Sequence, residues 1–169
     1  GLYKTGAGDF ALNGLNTLST NIFVQAGSVT GNQLSASTGA AAPIWLSNGT
    51  TLNLRANTTQ NFGGGTQNPI FVADPGASVT IDVNRFDGGA TGNILILGAL
   101  NAGAGSQTIS VTGGNGYGLR FAGVPTFSPE TTTTLDVGAG TSLELAGIIP
   151  STNAALIKNG GGMLLLSGA

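Results

Sequence analysis

Apolar residues alternate with small or polar ones in short segments along most of this chain. Leu52 and Leu54 flank Asn53, for example, and several later segments repeat the pattern. This period-2 alternation predicts β-strands with one face buried and the other directed to solvent. No window of a dozen residues keeps apolar residues at the spacing of a helix face, so the pattern predicts an all-β fold.

A small turn residue, usually glycine, introduces each alternating segment. These landmark glycines are Gly8, Gly27, Gly49, Gly76, Gly105, Gly140 and Gly162. Their successive spacings run from 19 to 35 residues, whereas hairpin proteins place strands about every 8–12 residues. Wider spacing is typical of a solenoid, in which an equivalent strand returns one layer higher. We therefore predict a single β-solenoid segment over residues 1–169, a right-handed parallel β-helix of about six coils stacked roughly 4.8 Å apart.

A second series of apolar segments lies before several of the landmark glycines. It comprises residues 44–46, 70–72, 94–97, 119–121 and 155–157. We predict that these strands form a second column beside the first. The glycine-rich connectors at 63–65, 88–89 and 113–114 are predicted to form corners with positive φ, a conformation that glycine adopts readily.

Two similar sequence motifs lie near the start and near the end of the chain, and we call this motif the phrase. LYKTGAGDFALNG, which begins at residue 2, is matched by LIKNGGGMLLLSG, which begins at residue 156, at a constant offset of 154 positions. An internal repeat of this kind is typical of a fragment of a longer repetitive protein. We assign a structural role to Leu2, Lys4, Gly6, Gly8, Phe10, Leu12, Gly14, Gly27, Leu156, Lys158, Gly160, Gly162, Leu164, Leu166 and Gly168. The two lysines are expected to bond corner carbonyls or to lie over apolar surface.

With leucine, lysine and glycines in this order, the phrase resembles the autotransporter-associated β-strand repeat, also called the passenger-associated transport repeat. The resemblance places the repeat motif at residues 1–29 and again from 155–169. That family often has leucine where Phe10 and Val29 stand here, and an aromatic residue near Leu18. The resemblance implies a secreted bacterial β-helical protein at the cell surface. It also implies that stepwise folding outside the cell helps to export the chain. It implies no specific activity.

Charge and composition narrow the range of partners. Seven Asp and Glu residues and five Lys and Arg residues give a net charge of −2, with no basic cluster. Nucleic acids and anionic membrane surfaces bind concentrated Lys and Arg, so neither is expected as a partner. Cysteine and histidine are absent from the sequence, which removes common metal ligands and the usual general base near neutral pH. We expect no membrane span, metal, cofactor or catalytic residue.

Carboxylates on the outer face of a β-helix can form a polysaccharide-cleaving site, so Asp74, Asp82 and Asp87 require consideration. Glycoside cleavage needs two carboxyl groups roughly 5–10 Å apart. The neighbours expected for Asp82 on adjacent coils are Asn53 and Ser110, which are not carboxylates. These aspartates are therefore expected to be solvated surface charges.

The expected function is a non-enzymatic stalk or spacer in a secreted bacterial surface protein, with flanking coils of the same polypeptide as partners. One alternative is an adhesin or carbohydrate-binding module whose corners at 56–68 and 122–134 contact a host or polysaccharide ligand. Another is a fibre subunit that associates end to end. An enzyme that cleaves polysaccharides is the least favoured. Four aromatic residues could form a binding strip, although their aliphatic neighbours favour burial in the core: Trp45, Phe71, Phe121 and Phe127.

Overall fold

The computed structural model describes residues 1–14, 16, 18, 20–32, 42–63, 66–103, 105–150 and 153–168. Within these ranges the chain forms eighteen β-strands and no helix, which confirms the predicted all-β class. The strands are β1 Leu2–Lys4, β2 Asp9–Leu12, β3 Ile22–Val24, β4 Ser28–Gly31, β5 Ile44–Leu46, β6 Thr51–Arg55, β7 Gln60–Asn61, β8 Ile70–Val72, β9 Ser78–Asn84, β10 Ile94–Leu97, β11 Leu100–Ala102, β12 Gln107–Gly113, β13 Gly118–Phe121, β14 Thr126–Phe127, β15 Thr132–Val137, β16 Ser142–Leu145, β17 Ala155–Asn159 and β18 Met163–Leu166.

These strands form three sheets. Sheet 1 has the spatial order β1-β3-β5-β8-β11-β14, sheet 2 the order β2-β4-β6-β9-β12-β15-β17, and sheet 3 the order β7-β10-β13-β16-β18. Every pairing between these strands is parallel. Parallel partners need a crossover connection, and here the chain visits another sheet before it returns. This arrangement is compatible with the predicted parallel β-helix.

The predicted alternation is confirmed in the core of sheet 2. Leu52 pairs in register with Val29 on one side and with Ile81 on the other, and Ile81 pairs with Val111. All four side chains are buried, whereas Asn53 on the opposite face is only partly buried. This column joins those of the other sheets in one hydrophobic cluster. Burying apolar surface stabilises a fold by about 25 cal/mol per Å², so the cluster is the main source of cohesion.

The landmark glycines do not all introduce strands of one sheet. The first five precede strands of sheet 2, whereas Gly140 and Gly162 precede β16 and β18 of sheet 3. The landmark glycines therefore miss β15, a strand of sheet 2 that lies between β12 and β16 in the sequence. Its corner holds Glu130 at a φ of 58°, in the left-handed region that glycine occupies in the corners before β4, β6, β9 and β12.

The prediction of one second column is wrong. Residues 44–46 and 70–72 are neighbours in sheet 1, but 94–97 and 119–121 belong to sheet 3 and 155–157 to sheet 2. Sheet 3 begins at β7, which has two residues and is too short to show an alternating pattern. Among the described residues, the strands before β7 alternate between sheets 1 and 2, whereas from β7 to β16 the chain visits sheets 3, 1 and 2 in turn. The apolar segments are therefore distributed among three sheets.

The glycine-rich connectors are only partly corners of the predicted kind. Gly63 and Gly88 have positive φ values of 100° and 62°, and residues 64 and 65 lie outside the described ranges. Gly89, Gly113 and Gly114 do not have positive φ. Gly113 closes β12, where a Cβ would come within 2.7 Å of the Val83 carbonyl oxygen. Glycine is required at this position because β12 lies close to the backbone of β9, and not because of its backbone conformation.

The two stretches expected to be open contact corners contain regular structure. Residues 56–68 include β7 and the buried Phe62, and residues 122–134 include β14 with the buried Phe127. Their side chains therefore contribute to the core as well as to the surface.

Candidate functional site

The corner between β1 and β2 is built around the ammonium group of Lys4. This residue pairs in register with the buried Val24 of β3, so its aliphatic stem lies in an inward-facing column. Its Nζ donates to the carbonyl oxygens of Thr5 at 3.2 Å, Gly6 at 2.5 Å and Ala26 at 3.0 Å. Ala26 belongs to the next layer, so one cation closes its own corner and fastens it to its neighbour. These contacts agree with the expected role.

The same corner recurs between β17 and β18. Lys158 pairs in register with the buried Leu135, and its Nζ donates to the carbonyl oxygens of Asn159 at 3.0 Å and Gly160 at 2.5 Å. The first copy joins sheet 1 to sheet 2, whereas the second joins sheet 2 to sheet 3. The repeated phrase therefore specifies a corner and not a place in one particular sheet.

Several glycines of the phrase lie where neighbouring layers touch. A Cβ on Gly27 would overlap the carbonyl oxygen of Gly8, and a Cβ on Gly162 would overlap that of Gly138. Gly168 lies against Gly147 in the same manner. Three further glycines of the phrase have positive φ: Gly6, Gly14 and Gly160.

Apolar residues of the phrase face the core but stand in the outermost layers. Phe10 pairs with the buried Val29 and is nevertheless 38% exposed. Leu166 pairs with the buried Leu145 and is 50% exposed. Leu12 is buried, and the others are partly buried: Leu2, Leu156 and Leu164. Both ends of the layered structure thus present inward-facing apolar side chains that no further layer covers within the described residues.

Asp82 faces outward on sheet 2, as predicted, but one expected neighbour is wrong. It pairs with Asn53 and with Thr112, whereas Ser110 pairs with Thr80. One carboxylate oxygen lies 2.7 Å from Nη2 of Arg55, and the other accepts a hydrogen bond of 2.7 Å from the Thr112 hydroxyl. Both oxygens are therefore engaged within the sheet, in a polar ladder that holds three strands together.

The other two candidate carboxylates lie at separate corners. An Asp74 oxygen accepts a hydrogen bond of 2.7 Å from the backbone N–H of Asn48, and an Asp87 oxygen accepts one from the side-chain amide of Asn57. The structure thus does not bring the three aspartates into one site. Within the described ranges, no group of three or more His, Cys, Asp or Glu residues is arranged to hold a metal ion.

Four aromatic side chains form a stacked ladder along sheet 1, which sequence reasoning missed. Ring centroids are 4.7 Å apart between Tyr3 and Phe23, 6.2 Å between Phe23 and Trp45, and 4.4 Å between Trp45 and Phe71. The planes of each pair are within 21° of parallel. Sugar recognition by aromatic residues uses free ring faces, but here the inner rings turn their faces to each other. The end of the ladder is Tyr3, which is 60% exposed.

The ladder corrects the expected burial of Trp45 and Phe71. The residues that flank Trp45, Ile44 and Leu46, are buried, so the indole points outward. Strict alternation within this short apolar run was the available signal. The two remaining aromatic candidates lie in the core as expected: Phe121 and Phe127.

Comparison of the chain with family models, curated proteins and solved structures finds no match in any of the three. The search for membrane-spanning helices also finds none in the described part of the chain.

Proposed function

We propose that this chain is a non-enzymatic structural segment: a right-handed parallel β-helix of about six coils that acts as a stalk or spacer. The observation that supports it best is the continuous parallel stacking of layers, in which Leu52 lies between Val29 and Ile81. Further layers can be added to such a stack through the same type of contact, so the length of the molecule increases with each layer. A spacer requires this property, because its function is to separate the parts that it connects.

The parent protein, in this proposal, is a secreted bacterial surface protein of the autotransporter-passenger type. The repeated lysine and glycine phrase supports this assignment through its resemblance to that repeat family. Each layer that docks on the preceding one buries apolar side chains and completes a backbone ladder. Folding that proceeds layer by layer outside the cell opposes backward slippage of the chain and so assists its export.

Pulse-labelling hydrogen exchange during refolding tests the layer-by-layer mechanism. Amide protection should spread between adjacent strands of sheet 2, from β4 through β6 to β9 or in the reverse order. In Leu54→Asp, which places a charge in a fully buried position of β6, protection should stop at that layer. Simultaneous protection of all strands in the unmodified chain would contradict directional folding.

A glycan array separates the spacer from an adhesin or carbohydrate-binding module. The spacer proposal expects no saturable binding of any glycan and no change in the fluorescence of Trp45, which is the single tryptophan of the chain. Saturable binding accompanied by a change in this fluorescence would identify the aromatic ladder as a ligand site and would overturn the spacer proposal.

A further inference from the structure

Two polar side chains lie inside the stack, on the inner face of sheet 2, which is otherwise mainly apolar. Gln107 of β12 and Thr133 of β15 pair in register and are 3% and 0% exposed. Each alternates with a less buried neighbour on the outer face, Thr108 and Thr134. A buried polar group without hydrogen bonds destabilises a fold, so the partners of these two side chains need to be identified.

The amide group of Gln107 is held by its nitrogen. Nε2 donates to the carbonyl oxygens of Val72 at 3.3 Å and Asp74 at 3.1 Å. Both acceptors lie between the end of β8 and the start of β9, in the layer that precedes β12. The reverse orientation of the amide would place its oxygen against two carbonyl oxygens, so these contacts identify the nitrogen. Because the amide is planar, Oε1 is directed away from the same carbonyls.

Two buried oxygen atoms are then left over between neighbouring layers. Within the described ranges, neither Oε1 of Gln107 nor Oγ1 of Thr133 takes part in a hydrogen bond. On its other side Thr133 pairs with Leu156, whose side chain has no polar atom. Paired strands are only about 4.8 Å apart, so the two residues are neighbours although their oxygens are not directly bonded. One water molecule can bridge two polar atoms at such a separation.

We propose that a single water molecule binds between β12 and β15 and joins Oε1 of Gln107 to Oγ1 of Thr133. The water donates one hydrogen to Oε1, and it exchanges its second hydrogen bond with the Thr133 hydroxyl, which can donate or accept. A buried water makes two to four hydrogen bonds, and the two side chains supply two. This inference needs only the pairing of β12 with β15 and does not depend on the role of a spacer.

The bridge extends the contacts of Gln107 across three consecutive layers. Its nitrogen reaches back to the carbonyls of Val72 and Asp74, and its oxygen reaches forward to Thr133 through the water. Both side chains are almost completely buried, so the water exchanges with solvent only when neighbouring layers separate. Its residence time should therefore be long compared with the tumbling time of the protein.

Thr141 provides an internal comparison. Its Oγ1 is also buried without a partner among the described residues. It lies at the corner before β16, where a Cβ on Gly113 would come within 2.8 Å of it and Gly162 lies against its backbone. These two neighbours have no polar side-chain atom. A second side-chain oxygen, which the site at Gln107 has, is missing there.

Oxygen-17 magnetic relaxation dispersion of the full chain counts the internal water molecules that stay bound while the protein tumbles. Thr133→Val keeps the shape of the side chain and removes the hydroxyl, so the count should fall by one. Thr133→Ser keeps the hydroxyl and should keep the count. Thr141→Val removes a buried hydroxyl that has no second side-chain oxygen beside it, and should leave the count unchanged.

A second measurement needs no substitution. In the isotope-labelled protein, the γ-methylene protons of Gln107 should show cross-relaxation with a water molecule that tumbles with the protein. Absence of this signal, an unchanged count in Thr133→Val, or an equal loss in Thr141→Val would each overturn the inference. Backbone contacts between Ile109 and Leu135 in the same sample check the pairing of β12 with β15, so an error in the fold is distinguished from an error in the site.

Discussion

Leu54 and Thr51 lie in the same strand, β6, but face opposite sides of sheet 2. Leu54 is completely buried, whereas Thr51 is partly exposed. The loss of stability caused by introducing a charge should therefore depend on which face of the sheet the residue occupies, and not on which strand it belongs to. At the scale of single residues, stability is controlled by this alternation and by the close approach of glycines in neighbouring layers.

Leu54→Asp should lower the free energy of unfolding by about 4 kcal/mol or more, because an unpaired carboxylate is placed in the core. Thr51→Asp, three residues away on the outer face, should change it by about 0.5 kcal/mol or less. Thermal unfolding followed by circular dichroism measures both variants. Equal effects of the two substitutions would mean that the inward and outward faces of β6 have been assigned wrongly.

Gly27 and Gly49 form a second matched pair. Both have positive φ, 70° and 77°, so alanine at either position costs about 1–2 kcal/mol of left-handed strain. A Cβ at Gly49 meets open space, whereas one at Gly27 would overlap a backbone carbonyl. Gly27→Ala should therefore be less stable than Gly49→Ala by about 1–3 kcal/mol, and equal losses in urea denaturation would contradict the close contact between layers.

At the scale of elements, the strands are held by ladders of side chains that run across them. The outer face of sheet 1 carries the stacked aromatic ladder, and that of sheet 2 carries the polar ladder through Arg55, Asp82 and Thr112. Each ladder connects strands that are far apart in the sequence. A residue in a ladder therefore stabilises the pairing of layers rather than its own strand.

Asp82→Asn should lower the free energy of unfolding by about 1 kcal/mol, since a partly exposed ion pair contributes roughly this amount. The side chains of Arg55 and Asp82 are 23% and 25% exposed, so added salt should reduce the difference from the unmodified chain. Thr112→Val removes only a hydroxyl donor, and its effect should not depend on salt. A loss in Asp82→Asn that is independent of salt would show that the ion pair does not contribute.

The sequence predicts the elements better than their assembly. Alternation alone places residues such as Leu52 and Asn53 on the correct faces of their strand. The glycine landmarks fail at β15, because Glu130 and not a glycine occupies the left-handed position of its corner. The inference of burial from apolar neighbours fails at Trp45, because strict alternation between Ile44 and Leu46 directs the indole outward.

At the scale of the whole molecule, the repeated phrase predicted that equivalent corners recur, but not where they recur. The Lys4 and Lys158 corners have the same local bonds, yet they join different pairs of sheets. Local spacing encodes the bonds of a corner, whereas its position depends on how many strands the chain has placed in each preceding circuit. That number changes at β7, which carries no recognisable signal.

The most direct test of the account is a set of backbone nuclear Overhauser contacts between strands of sheet 2 in the isotope-labelled protein. Parallel stacking predicts cross-strand contacts that connect Val29 with Leu52, Leu52 with Ile81, and Ile81 with Val111. The central claim would be contradicted if β6 instead showed antiparallel contacts with strands adjacent to it in the sequence.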